Sequence, residues 1–209
     1  MEELTGEELV AHVKRGDMHA IATLFDRYRD RLRRMIEIRL DQRLAARVDP
    51  SDVLQDVFVD VQNRIHEFET SDFSFFLWLR LKVGHRLSDL HRFHLGAQKR
   101  SVRREISLQS GPMPLASSAS LASQLVGNLT TASNEAMRAE TRLRVQNLLN
   151  GMDEIDREVL VLRHFEDLTN ADTAQVLGIS ENAASNRYIR ALRRLKDALS
   201  RLRLDVTDI

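Results

Sequence analysis

Residues 168–199 read LTNADTAQVLGISENAASNRYIRALRRLKDAL, and this stretch predicts two helices joined by a tight turn. Gly178 permits a backbone conformation that other residues resist, and Ser180 is a suitable cap for the helix that follows. The small side chain of Ala174 lets two helices cross closely, and Ile179 is expected to fill the space between them. The spacing of these residues favours a helix-turn-helix.

The second helix of this stretch has an apolar and a polar face. Its spacing predicts a buried side made of Ala184, Tyr188, Ala191, Leu192, Leu195 and Leu199. The residues that we predict to bind DNA lie elsewhere on the helix and are Asn182, Ser185, Asn186, Arg187, Arg190, Arg193 and Arg194. Asparagine and arginine can pair with base edges in the major groove, and outer arginines can neutralise phosphates. An ordinary helical hairpin is the alternative interpretation.

Most of the remaining chain is also predicted to be helical, because only three prolines and eight glycines occur and they lie at boundaries. Thr5 and Glu8 form a capping-box pattern, Asp17 is placed to cap the next helix, and Asp49 precedes a proline at the first helical position. Further helices are expected at about 18–40, 50–65, 73–94, 134–150, 154–166, 170–177 and 181–203.

Residues 106–133 differ from the rest of the chain, because they contain no charged residue and seven serines. This composition is typical of a linker, although Leu121, Leu125 and Leu129 have the spacing of a short docked helix. We therefore expect an all-α protein of two small helical domains, 1–105 and 134–209, joined by a flexible linker at 106–133.

The net charge is zero, with 31 basic and 31 acidic residues, but the charges are unevenly distributed. Residues 80–104 contain eight Lys or Arg and one acid, and residues 181–203 contain seven and two. Residues 153–172 reverse the sign, with seven acids and two arginines. Basic clusters are typical of nucleic-acid binding, whereas a solvated helix face is the alternative for either cluster alone.

Several classes of protein are disfavoured by the sequence. The longest apolar run, Phe75–Leu79, is far shorter than a membrane span, and the acidic start lacks a signal peptide's features. There is no cysteine, and no phosphate-binding loop or nucleophile elbow. The spacing of His85, His91 and His94 does not converge three ligands on one helix face. We expect a cytoplasmic protein that is not an enzyme and has no cofactor or metal.

Asp52, Asp56 and Asp60 recur every four residues and form an acidic stripe beside Gln55. A solvated helix face and a protein-binding surface are both consistent with this pattern. A two-metal carboxylate site is a third interpretation, but no histidine or further acid is placed to complete it.

The stretch MDEIDREVLVLRHFE at residues 152–166, followed by the helix-turn-helix, resembles region 4 of the sigma-70 family. Leu24-Phe25-Asp26-Arg27-Tyr28 resembles the start of region 2, and DPSDVLQDVF at 49–58 resembles the helix that binds core polymerase. Trp78-Leu79, followed by Asp89 and Arg92, resembles the helix that melts and recognises the −10 element. The chain is similar to the extracytoplasmic-function (ECF) subfamily over residues 4–105 and 137–203.

The resemblance implies a sigma factor that binds core RNA polymerase and directs promoter-specific transcription initiation, with region 4 recognising the −35 element. The implied polymerase contacts are Asp49, Asp52, Gln55, Asp56 and Phe58. The implied −10 contacts are Phe68, Glu69, Thr70, Ser71, Asp72, Arg80, Lys82, His85, Arg86, Asp89 and Arg92. The implied partners are the coiled coil of the largest polymerase subunit, the flap of the second-largest, promoter DNA and an anti-sigma factor.

The chain departs from the family pattern in ways that bear on promoter preference. His85 stands where asparagine is common, and Ser185 stands where lysine is common. Asn170 and Thr173 replace an aromatic and an aliphatic residue, which suggests looser packing of region 4. The alternative functions are a stand-alone helix-turn-helix regulator that binds an operator as a dimer, and a helical module that engages polymerase without contacting DNA.

Overall fold

The structure is a computed structural model that describes residues 4–95, 105–108, 111–129 and 135–201. Its contacts divide the chain into two compact units. The first comprises Met1–Glu37 and Arg43–Pro114, and the second comprises Ile38–Gln42 and Leu115–Ile209. The expected all-α fold is confirmed, with one two-stranded hairpin added to the described helices.

The first half of the chain forms helices that begin where the sequence supplies caps. These are α1 Gly6–Val13, α2 Met18–Arg39, α3 Gln42–Ala45, α4 Pro50–Asn63, α5 His66–Glu69 and α6 Phe75–Leu95. The capping box of Thr5 and Glu8 is present, and the Asp17 carboxylate accepts hydrogen bonds from the backbone of the first turn of α2. Asp49 caps α4 by accepting from the Ser51 amide at 2.7 Å, with Pro50 at the first helical position.

The core of the first unit is built on the apolar face of α2 and on aromatic residues of α5 and α6. Ile21, Leu24 and Phe25 are buried, as the helical spacing predicted. The Phe68 ring packs edge-on against Phe75 and lies 5.5 Å from Trp78, centroid to centroid. Trp78 is only 4% exposed and is part of this core.

The segment predicted as a linker contains regular structure. Strands β1 Glu105–Leu108 and β2 Gly111–Pro114 pair antiparallel, with Ile106 opposite Met113. Helix α7, Ser118–Leu129, buries Leu121 and Leu125 because these leucines join an apolar core. The segment therefore contains the docked helix and is not a continuous flexible linker. The Leu129 side chain lies outside the described residues.

Within its described residues, the second unit contains four further helices and one π-helical turn. They are α8 Glu135–Asn150, α9 Glu154–Leu160, the π-helical turn Val161–Phe165, α10 Asn170–Leu177 and α11 Glu181–Arg201. The sequence predicted one helix over 154–166, whereas the structure changes hydrogen-bond register at Val161. The core of the unit joins side chains of α7, α8, α9 and α11 with Ile38, which is fully buried.

The predicted helix-turn-helix is formed by α10 and α11. Gly178 ends α10 in the left-handed region at φ 63°, and the Ser180 hydroxyl accepts from the Ala183 amide at 3.2 Å. Thr173 is fully buried, and its hydroxyl donates to the Thr169 carbonyl at 2.8 Å. The Asn170 amide donates to the Glu181 carbonyl at 2.9 Å and links the two helices. Asn170 and Thr173, which depart from the family pattern, therefore each make a hydrogen bond within the helix-turn-helix.

A buried ion network ties the end of α2 into the second unit. Arg39 is 1% exposed, and its Nε donates to Glu166 at 2.7 Å while an Nη donates to Glu158. Both carboxylates are buried as well. Burial opposes the charge on Arg39, but Glu158 and Glu166 outweigh this effect and raise its pKa above the ordinary value.

We expect Arg39→Met to lower the free energy of unfolding by about 3–5 kcal/mol, because it leaves two buried carboxylates without the guanidinium between them. Chemical denaturation of the full chain measures this loss. Arg33→Met is the matched control, since Arg33 pairs with Glu37 on the surface of the same helix and should cost less than about 1 kcal/mol. Equal losses for the two variants would contradict the prediction.

Candidate nucleic-acid interface

The accessible surface of α11 divides into two groups of side chains. Between residues 182 and 193, four exposed side chains fall within a sector of about 60° at about 100° per residue, and we call them the outer row. The outer row consists of Asn182, Asn186, Ile189 and Arg193, all of which are exposed. Beside it lies the arginine flank, which consists of Arg187, Arg190 and Arg194. Ser185 is half-buried on the opposite side of the outer row.

The arginine flank is held by a carboxylate of α9. Asp156 is 2% exposed at its side chain, and it accepts two hydrogen bonds from Arg190 at 2.7 and 3.0 Å. Arg187 donates a third bond at 2.8 Å, and an Nη of Arg194 lies 3.8 Å from the same carboxylate. The neighbouring Asp153 caps α9 and lies 3.5 Å from Arg187. The sequence predicted these arginines as DNA contacts and did not identify their internal partner.

The ionisation of this cluster follows from its hydrogen bonds. Burial opposes the charge on Asp156, but hydrogen bonds from Arg190 and Arg187 outweigh burial and lower the pKa of Asp156. The hydrogen bond to Asp156 in turn raises the pKa of Arg190. The cluster is therefore charged at neutral pH, with a buried anion beside partly exposed cations.

The exposed face of α4 carries the acidic stripe and one apolar side chain. Asp52, Gln55 and Asp56 are exposed, as a binding surface requires. Val59 is 55% exposed and lies one helical turn after them, although an isolated valine on a solvated face stabilises nothing there. Phe58 is half-buried against Phe25, with ring centroids 4.8 Å apart.

Charged pairs line a groove between α4 and α6. Arg86 donates a hydrogen bond to Asp56 at 2.5 Å. Arg86, a predicted −10 contact, is therefore paired with Asp56, a predicted polymerase contact. Both side chains remain about half exposed, and an exposed pair of this kind contributes only about 0–1 kcal/mol. Either residue can therefore exchange its partner for an external one.

Two of the predicted −10 contacts lie inside the fold, contrary to the prediction. Arg80 is 0% exposed, so its guanidinium does not reach a phosphate from this position. Lys82 is 8% exposed and donates to Glu67 at 2.5 Å, with Asp60 at 3.7 Å and the Trp78 ring below it. The basic composition of α6 concealed these positions because arginine and lysine stems also pack against apolar surface.

Phe68 is a third correction, because it is 1% exposed in the aromatic core and does not line a base pocket. The rest of the predicted loop lies at the surface: Glu69, Thr70 and Asp72 are exposed and Ser71 is half-buried. Along α6, the remaining predicted contacts His85, Asp89 and Arg92 are exposed, and Arg92 pairs with Asp89 one turn away. These surface residues stay predictions.

Asp60 pairs with Arg64 at 2.8 Å, which satisfies the last carboxylate of the acidic stripe. Within the described ranges, no three His, Cys, Asp or Glu side chains come together as metal ligands. No helix in the described part of the chain is both long and apolar enough to cross a bilayer.

Comparison with known proteins shows which proteins this chain is similar to. The sequence model described as sigma-70, region 4, matches residues 142–195, which contain α9, α10 and most of α11. The ECF RNA polymerase sigma-E factor of Haemophilus influenzae is 25% identical over 202 residues, covering 96% of this chain and 98% of that protein. The chain is thus similar to ECF sigma factors over nearly its whole length. The sigma factor SigM of Mycobacterium tuberculosis is 26% identical over 98% of this chain and 89% of its own length.

A solved structure shares the fold of this chain. CnrH, in its complex with the cytosolic domain of CnrY, superposes with a TM-score of 0.52 at 23% sequence identity. The match covers 92% of this chain and 95% of CnrH. Such a match at low identity supports the all-α architecture derived above.

The sequence analysis did not identify three residues of this chain that the structure brings to the candidate interface. Val59 and Ile189 are apolar residues that helical spacing places beside polar surface positions, and that spacing was a usable signal. Asp156 gave no comparable signal, because a carboxylate in the first turn of a helix is ordinary. Only the packing of α9 against α11 brings it to the arginine flank.

We expect Glu67→Gln to flatten the pH dependence of stability in acid. The hydrogen bond from Lys82 holds the pKa of Glu67 below its ordinary value, with burial opposing. The resulting stabilisation is complete above the pKa of the unfolded chain and is lost as the pH falls through the lower folded pKa. Between about pH 5 and pH 3, the melting temperature of the wild type should therefore fall more steeply than that of the variant.

Asp30→Asn serves as the control for this measurement, because Asp30 is an exposed carboxylate on α2. Its melting temperature should follow the wild-type curve. Parallel curves for Glu67→Gln and the wild type would show that the pair with Lys82 contributes no pH-dependent stability.

Proposed function

We propose that this chain is an ECF sigma factor that binds core RNA polymerase through the exposed face of α4 and reads promoter DNA with the outer row of α11 and the surface of α5–α6. The observation that carries the proposal is the helix-turn-helix, whose second helix turns asparagine and arginine side chains outward. The functional ranges are those of the sequence prediction: region 2 within 1–105, region 4 within 134–209, and a connection at 106–133.

The outer row suits recognition of the −35 element in the major groove. An α-helix fits this groove, asparagine pairs with adenine, and arginine pairs with guanine. Asn182 and Asn186 would supply the first pairing and Arg193 the second, since all three are exposed. Ile189 is 43% exposed between them and offers an apolar contact for a thymine methyl group.

The exposed face of α4 suits a basic, partly apolar partner. Asp52 and Asp56 supply negative charge, and Val59 supplies apolar area that is exposed to water in the free protein. Charge complementarity steers association, and buried apolar contacts stabilise the complex. The coiled coil of the largest polymerase subunit is the partner that we assign to this face, and the flap of the second-largest subunit is assigned to region 4.

DNA opening requires the polymerase as well as the sigma factor. Melting about ten base pairs costs on the order of 15 kcal/mol, at about 1.4 kcal/mol per stacking step. Thr70, Ser71 and Asp72 are polar groups at the surface after α5 and are suited to hold one flipped base, which costs a few kcal/mol. Since the small region 2 supplies only part of this energy, opening draws on contacts made by the whole holoenzyme.

Regulation by a protein partner is a further part of the proposal. The solved structure of CnrH contains the cytosolic domain of CnrY, so that relative assembles with a second protein. We assign an anti-sigma factor to this chain by the same resemblance. We place this chain, and its interaction with an anti-sigma factor, in the cytoplasm.

We expect Asp52→Arg to weaken binding to core polymerase by about 2–5 kcal/mol, because it places a like charge against a basic partner. Capture of core polymerase by immobilised full-length protein measures the affinity. Asp30→Arg is the matched control, since it makes the same charge change on an exposed position of α2. Equal affinities for the two variants would remove α4 from the interface, and no binding by the wild type would favour a stand-alone regulator.

We expect Arg193→Ala to weaken duplex DNA binding and to reduce the log–log salt slope by about 0.9, because one arginine fewer neutralises the phosphates of the DNA that α11 faces. Fluorescence anisotropy at several salt concentrations measures the slope. Arg142→Ala removes an exposed arginine from α8 and should leave the slope as in the wild type. A slope that is the same for both variants would exclude the outer row from the DNA interface.

A further inference from the structure

The arginine flank of α11 already has an anionic partner inside the second unit. Arg190 gives Asp156 its Nε and one Nη, which form an edge of the guanidinium suited to bidentate binding of a phosphate or a guanine. Arg187 gives one Nη to the same carboxylate. Each donor used in this way is unavailable to DNA while the pair persists.

The position of Asp156 makes these pairs stronger than ordinary surface pairs. Its side chain is 2% exposed, so water and salt screen it poorly, whereas Arg187 and Arg190 are 31% and 50% exposed. Transfer of an arginine to a phosphate would leave the buried carboxylate with one partner fewer, and a buried charge without full pairing is costly. DNA must therefore compete with Asp156 for both arginines.

We infer that Asp156 is a positioning residue that withholds Arg187 and Arg190 from DNA phosphates and so lowers the sequence-independent affinity of region 4 for DNA. This inference rests on the proposed function, because it takes α11 as the helix that faces DNA. The outer row keeps its donors for base edges. Its asparagines and Arg193 lie beside the arginine flank, on the side away from Asp156.

The consequence concerns the ratio of specific to non-specific binding. Phosphate contacts strengthen binding to every sequence alike, whereas base contacts strengthen binding to one. Promoters compete with a large excess of other DNA, so the ratio matters more than either affinity alone. A carboxylate that keeps two arginines from binding phosphates raises the ratio of specific to non-specific affinity without adding a base contact.

The first test is Asp156→Asn in the full-length chain, with binding to a duplex of arbitrary sequence followed by fluorescence anisotropy without polymerase. The variant should bind on the order of tenfold tighter at low salt, with a log–log salt slope steeper by up to about 1.8, since two arginines become available. Asp156→Glu retains the charge and should restore a slope close to that of the wild type.

The matched control is Glu154→Gln, which removes the same charge from an exposed position in the first turn of the same helix. It should change the affinity much less than Asp156→Asn does and leave the slope near the wild-type value. A gain that is equal in the two variants would reflect net charge alone and would overturn the inference.

The second test keeps Asp156 intact and compares two arginines of α11. On DNA of arbitrary sequence the exposed guanidinium of Arg193 also reaches a phosphate, so Arg193→Gln should flatten the wild-type slope by about 0.9. Arg190→Gln should flatten it much less, because Asp156 already occupies that side chain. In the Asp156→Asn background, Arg190→Gln should recover the full effect of about 0.9. A merely structural role for Asp156 does not predict this coupling, and the wild-type comparison needs no change at Asp156.

The outcomes separate this inference from the proposed function. Weaker or unchanged binding by folded Asp156→Asn, equal slopes for the Arg190 and Arg193 variants, or no DNA binding by any protein would overturn the role of Asp156. Capture of core polymerase and run-off transcription by the wild type test the proposed function independently. If the wild type transcribes but Asp156→Asn binds as before, only the inference fails.

Discussion

A charge inside a folded protein must meet an opposite charge there, because the interior replaces none of the hydration that it loses. This constraint governs both units of a chain with 31 basic and 31 acidic residues. Arg39 lies between two buried glutamates, Lys82 beside Glu67, and Asp156 beneath the arginine flank. The zero net charge is thus balanced by pairs in space, which join residues 15 to 127 positions apart in the sequence.

The same pairing decides which charged residues remain available to nucleic acid. On α6, the constraint removes Lys82 from the set of phosphate contacts and leaves Arg92 at the surface. On α11, it engages two arginines with Asp156 and leaves the outer row to face the solvent. A basic stretch of sequence therefore overstates the basic surface that a partner meets, since part of its charge serves the fold.

Apolar residues at the surface carry the complementary information. Val59 on α4 and Ile189 on α11 are exposed beside polar residues that the sequence had already assigned to partners. An exposed aliphatic side chain gains nothing from water, and it gains about 25 cal/mol for each Å² buried in a complex. Their positions agree with two separate contact faces, one acidic for the polymerase and one polar and basic for DNA.

The sequence by itself determined the helices, their caps and the helix-turn-helix, because these depend on residues that are close along the chain. Thr5, Asp49, Gly178 and Ser180 act within a single turn, and periodic spacing marks the buried faces of α2 and α11. Only the tertiary structure decided that Phe68 and Arg80 are buried, that α7 docks, and that Asp156 meets Arg187 and Arg190 across 31 and 34 residues. These outcomes depend on which helices pack together, and the charge or periodicity of one helix carries no record of the residue that another helix brings against it.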